Sequence, residues 1–83
     1  MNQTKIKYRC PCCDSLTLDS KPGCFDICPV CYWEDDNIQR DDPDYTGGAN
    51  DISLNEARKN YKKIGAISKE YCDSVRLPLA EEI

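Results

Sequence analysis

The chain contains no histidine. Any transition-metal site in it must therefore be built from sulfur, with carboxylate as the supplement. Positive charge is also short: 11 lysines and arginines face 15 aspartates and glutamates, a net −4. Nonspecific nucleic-acid binding needs lysine and arginine over phosphate, so that class is disfavoured. No apolar run is long enough to span a membrane. Met1-Asn2-Gln3-Thr4-Lys5 offers no apolar segment of a secretory leader. With one tryptophan, one phenylalanine and one methionine in 83 residues, the core is small. Single domains of this size often need a staple.

The chain is, however, rich in cysteine, with seven residues. An odd number, with no leader, favours reduced thiols holding a metal in the cytoplasm over a disulfide framework. The cysteines are organised. Cys10-Pro11-Cys12-Cys13 and Cys28-Pro29-Val30-Cys31 each contain a Cys-x-x-Cys pair with proline second. Such a turn places two sulfurs on one side of a tight bend, and proline lowers the entropy of that bend. Two facing turns complete a tetrahedron, the geometry zinc prefers with thiolate donors. Cys10, Cys13, Cys28 and Cys31 are the expected ligands of one structural zinc ion. Fourteen residues separate the pairs, just short of the roughly 15–20 usual in four-cysteine sites. Cys12 is a substitute ligand for Cys10 or Cys13, and the spacing leaves that choice open. Cys24 and Cys72 read as plain small residues. Four thiolates around zinc would take the net charge to about −6.

Around these turns the pattern is that of a small α+β domain. Its zinc-ribbon-like β-hairpins are stapled by a four-cysteine zinc site and followed by one or two helices. Residues 5–36 form the ribbon. Ile6, Tyr8 and Cys10 alternate along a first strand, Leu16-Thr17-Leu18 make a second, Lys21-Pro22-Gly23 turn, and Phe25-Asp26-Ile27 make a third. Residues 37–52 are an acidic loop with proline and paired glycines and no apolar periodicity. Residues 53–76 are helical. Ser53 and Glu56 make a capping box. Leu54, Ala57, Tyr61 and Ile64 form one stripe, and Gly65 stops the helix. Ser68 starts a second short helix, and residues 77–83 are a tail.

With these residues in place, the chain resembles the bacterial cysteine-rich CPCC family. The likeness runs through Cys10-Pro11-Cys12-Cys13 and Cys28-Pro29-Val30-Cys31-Tyr32-Trp33-Glu34-Asp35-Asp36. It continues in Arg40-Asp41-Asp42-Pro43-Asp44-Tyr45, Gly47-Gly48-Ala49-Asn50 and Ser53-Leu54-Asn55-Glu56-Ala57-Arg58, and covers about residues 8 to 66. The resemblance implies a small zinc-binding domain and no particular activity. Cysteine turns of ribbons usually carry glycine after the second cysteine. Here Asp14 and Tyr32 stand there, and tyrosine tolerates left-handed backbone poorly.

Two functional classes remain. In the first, the domain is a protein-interaction module that meets a basic partner surface. Trp33, Glu34, Asp35, Asp36, Asp44 and Tyr45 are its contact candidates, because tryptophan is enriched at hot spots and the run is acidic. The acidic spacing does not match a calcium loop. In the second, the protein is a thiol-redox or zinc-sensing device working through Cys12, since a thiol beside a metal can have a lowered pKa. Enzymatic activity is not expected: Glu34 or Asp36 as general base would need a cleft and a partner group, and four thiolates close the metal shell.

Overall fold

The computed structural model describes residues 6–83; Lys5, the expected start of the first strand, lies outside them. Two short strands, β1 (Tyr8–Arg9) and β2 (Leu16–Leu18), pair antiparallel, with Tyr8 opposite Leu18 and Arg9 opposite Leu16. The first cysteine turn is the bend of this hairpin. Cys10 donates its N–H to the Ser15 carbonyl at 2.9 Å, and Asp14 closes the turn onto the Cys10 carbonyl at 2.8 Å.

The second cysteine turn repeats this design. Tyr32 N–H donates to the Cys28 carbonyl at 2.8 Å, and Cys28 N–H to the Trp33 carbonyl at 2.9 Å. The expected third strand over residues 25–27 is reduced to a single bridge between Ile27 and Glu34. The reason is local: Phe25 is left-handed, with φ of 67°, and breaks the run on its N-terminal side. What stands is a two-stranded hairpin, a second cysteine turn with one bridge, and helices.

The stretch expected to be a loop holds a helix, α1 (Asn37–Asp41). Asp36 caps it, its Oδ1 accepting from Ile38 N–H at 2.8 Å and Gln39 N–H at 3.4 Å. The following segment folds back onto α1. Gln39 is fully buried. Its amide nitrogen donates to the carbonyls of Tyr45 (3.0 Å) and Ile52 (2.9 Å), and its oxygen accepts from the Asn50 backbone and side chain. The loop is thus tied to a polar pillar rather than to an apolar stripe, which is why it carries no periodicity. Gly48 is required for this packing: a Cβ there would lie 2.5 Å from Asp36 Oδ2 and 2.6 Å from Gln39 Cγ.

The next helix, α2 (Leu54–Ile64), begins at Ser53 as expected, with Ser53 Oγ accepting from Glu56 N–H at 3.1 Å, while the Glu56 side chain does not return the bond that would complete the capping box. It ends at left-handed Gly65, φ 78°. Leu54 and Ala57 are buried and Tyr61 is half-buried, but Ile64 is 47% exposed: the stripe outruns the small core by one turn. Arg58 Nε donates to the Pro11 carbonyl at 3.0 Å, and Ile67 N–H to the Cys31 carbonyl at 2.9 Å. The helical half is thereby fastened to both cysteine turns. Two 3-10 helices, Lys69–Ser74 and Ala80–Glu82, finish the chain. The last is held down, since Glu82 receives both guanidinium nitrogens of Arg76 at 2.8 Å. That pairing, with the Leu79 N–H, keeps its carboxyl at about 2. Residues 77–83 are not a loose tail throughout.

The core is built around cysteine. Cys10, Cys28, Cys31, Trp33, Leu18, Val30 and Leu54 are its largest fully buried side chains of low polarity.

Candidate metal centre

Cys10 and Cys13 come from the first turn, Cys28 and Cys31 from the second, and their four sulfurs all lie within 4.8 Å of one another. Cys10 Sγ is 3.5 Å from Cys31 Sγ, and Cys13 Sγ is 3.7 Å from Cys28 Sγ. Four sulfurs about 2.3 Å from one central ion would be separated by about 3.8 Å, the edge of that tetrahedron. The spacing therefore fits a four-coordinate metal ion. Three of the four sulfurs belong to buried residues and Cys13 is half-buried. Among the described residues, this is where three or more potential ligands gather.

The local backbone explains how the turns hold this shape. Asp14 (φ 65°) and Tyr32 (φ 77°) are left-handed, in the position after each second cysteine. The sequence departs from glycine there without departing from the glycine conformation. In the second turn two backbone N–H groups point at sulfur, one from inside the turn and one from the residue that follows left-handed Tyr32. Val30 N–H lies 3.4 Å from Cys28 Sγ, and Trp33 N–H lies 3.4 Å from Cys31 Sγ. The Thr17 hydroxyl lies 3.0 Å from Cys28 Sγ and is the donor once that sulfur is a thiolate. Such donors spread the negative charge of thiolates and orient them. Sequence reasoning misses Thr17 as a site residue; only its place on the strand leaving the first turn hints at it.

Electrostatics points the same way. Hydrogen bonds from Cys10, then Cys13, hold the Cys28 thiol far below its ordinary value. Cys13 is lowered as well, chiefly by Cys10. In return, Cys13 and then Cys28 push Cys10 up, and Cys10 foremost pushes Cys31 up. Four sulfurs this close cannot all ionise beside one another. A divalent cation at the centre removes the conflict and lets every sulfur be a thiolate.

Cys12 stands outside the ligand group, so the geometry of Cys10-Pro11-Cys12-Cys13 selects Cys10 and Cys13. Cys12 is buried in the core cluster. Cys24 is exposed and Cys72 half-buried, both apart from the group.

The candidate contact residues divide. Trp33 (0% exposed), Asp35 (0%) and Asp36 (4%) are inside the protein, which corrects their assignment to a contact surface. Trp33 fills the core. Asp35 accepts from Gly23 N–H at 2.8 Å and from the Arg40 guanidinium at 2.7 Å. Asp36 caps α1 and also accepts from Ala49 N–H at 2.9 Å. That bond foremost, with those from Ile38 and Gln39, holds its carboxyl below the usual range. Glu34 is half-buried, and Asp44 and Tyr45 are exposed.

A cysteine hairpin, a second cysteine turn and a helix closed around a four-sulfur cluster define a small cysteine-cluster domain able to hold a metal. The chain belongs to the family described as Cysteine-rich CPCC, whose family model matches residues 8–82. No curated protein is significantly similar to it. No helix among the described residues is long and apolar enough to cross a membrane.

Proposed function

We propose that Cys10, Cys13, Cys28 and Cys31 bind one zinc ion as a structural staple, and that the domain so formed is a cytoplasmic protein-interaction module. One observation carries the metal reading: four sulfurs at tetrahedral spacing, with N–H donors already turned onto two of them. An all-thiolate set of this kind suits zinc better than a hard cation. Four protein ligands leave no position for a reacting water, so the ion is assigned structure rather than catalysis. The cytoplasmic assignment rests on the need for reduced thiols. The interaction reading is supported by the acidic balance and by exposed Asp44 and Tyr45. The alternative, a reactive Cys12, is disfavoured because that side chain is only 9% exposed.

The test is native mass spectrometry of protein purified without added metal, with free thiols counted before and after chelation. One zinc per chain, and four thiols gained on chelation, is the expected result. A metal-free chain with paired disulfides would overturn both the staple and the cytoplasmic reading.

A further inference from the structure

A cleft of about 150 Å³ lies on the side of the molecule where the second cysteine turn, the segment after α1 and the first 3-10 helix meet. Its lining combines three features. Tyr32 and Tyr71 stack on one another with ring centroids 4.3 Å apart and planes 14° from parallel. Ile52 adds apolar surface. Glu34, Asp51 and Glu70 bring three carboxylates, and among the described residues no lysine or arginine lines the cleft.

These carboxylates differ from the internal ones. Asp35 has Arg40 and Gly23, Asp36 has three backbone N–H groups, and Glu82 has Arg76. Among the described residues, the side chains of Glu34, Asp51 and Glu70 have neither an ion pair nor a hydrogen bond. Glu34 is nevertheless held in place. Its backbone N–H donates to Asn50 Oδ1 at 2.9 Å, and its carbonyl accepts from Asn50 Nδ2 at 2.8 Å. Its backbone also forms the bridge to Ile27. A fixed backbone therefore presents an unused charge to an aromatic-walled cleft. Glu70, foremost, then burial, then Asp51 push the Tyr71 hydroxyl up, in keeping with a negative field on that side.

We propose that this cleft takes the guanidinium of an arginine side chain presented by a protein partner. The proposal rests on the reading of the domain as an interaction module and names where that module would make contact. Arginine fits the lining on two counts. Its planar group packs on an aromatic face while its edge N–H groups bond carboxylates, a combination a lysine ammonium does not offer. The stem is apolar and matches Ile52 and the tyrosine rings.

The experiment is an NMR titration of the metal-loaded, isotope-labelled full chain with acetyl-Ala-Arg-Ala-amide. The neutral control is the same peptide carrying citrulline. Saturable amide shifts at Tyr32, Glu34, Asp51 and Tyr71 are expected with the arginine peptide, and none that saturate with citrulline. Asp51→Asn combined with Glu70→Gln should weaken binding by roughly tenfold, as two lost charge contacts imply, with spectral dispersion unchanged. Equal binding of the citrulline peptide would overturn the proposal. Saturable shifts confined to Asp41, Asp42, Asp44 and Tyr45 would overturn it too, but would leave the interaction module standing on its acidic loop. No saturable shift anywhere would overturn the cleft, and with it this chemistry for the partner.

Discussion

Serine in place of Cys28 is expected to unfold the domain. Cys28 has no solvent exposure and sits opposite Cys13 in the sulfur cluster. Thr17 and the Val30 N–H also bond its sulfur. A structural zinc contributes about 10–16 kcal/mol of apparent free energy in small modules. The net stability of a domain is only about 5–15 kcal/mol. Weakening the metal site thus removes an amount comparable to the whole. The core cannot compensate, because three of its fully buried side chains are themselves cluster cysteines. The measurement is amide dispersion and far-ultraviolet circular dichroism of Cys28→Ser, beside wild type treated with a strong chelator. Both should lose the fold, and zinc should restore only the wild type. Cys24→Ser is the control: exposed and outside the cluster, it should change stability by less than about 0.5 kcal/mol. A folded, metal-free Cys28→Ser protein would contradict the staple.

Removing Asp35 is expected to cost about 3–5 kcal/mol, the usual consequence of breaking a buried ion pair from one side. In Asp35→Ala, Arg40, whose side chain is 28% exposed, loses its carboxylate, and Gly23 N–H loses its acceptor. Urea unfolding of the zinc-loaded protein at fixed free zinc would show the loss as a lower midpoint. Asp44→Ala, on the exposed segment, gives up one surface hydrogen bond from Asn55 and should fall within about 0.5 kcal/mol of wild type. The contrast has a practical side. Charge reversal at Asp35 or Asp36 would not probe partner binding, because both carboxylates hold the fold together. Equal stability of the two variants would contradict the internal role of Asp35.

This contrast also marks where sequence reasoning succeeds and where it stops. The cysteine pairs are legible because ligand chemistry demands a spacing that chance rarely supplies. The helix start at Ser53 and the stop at Gly65 are legible because helix ends have their own local hydrogen-bond rules. The left-handed backbone at Tyr32 runs against the sequence expectation, because the hydrogen bond that closes the cysteine turn onto the Cys28 carbonyl overrides tyrosine's own preference. The acidic run misleads, because a string of carboxylates looks the same whether solvent or backbone N–H groups receive it. Asp36 followed three residues later by Gln39 does carry a helix-start signal of the capping-box kind. That signal is masked by the proline and glycines beyond it. The burial of Gln39 and its bonds to Asn50, Tyr45 and Ile52 depend on residues up to 13 positions apart, which no local pattern reports. The arrest of the third strand at Phe25 has the same character. Nothing in a bulky aromatic announces a positive φ.

The most direct test of the central claim is X-ray absorption at the zinc edge of the protein as purified. A structural staple predicts a single shell of four sulfur scatterers at about 2.3 Å, the distance of zinc–thiolate bonds. The spectrum should be unchanged in Cys12→Ser and should lose one sulfur in any folded variant of Cys10, Cys13, Cys28 or Cys31. A shell of three sulfurs with one oxygen at about 2.0–2.2 Å would contradict it. That result would mean an open coordination position, and the centre would then have to be considered for chemistry rather than for structure.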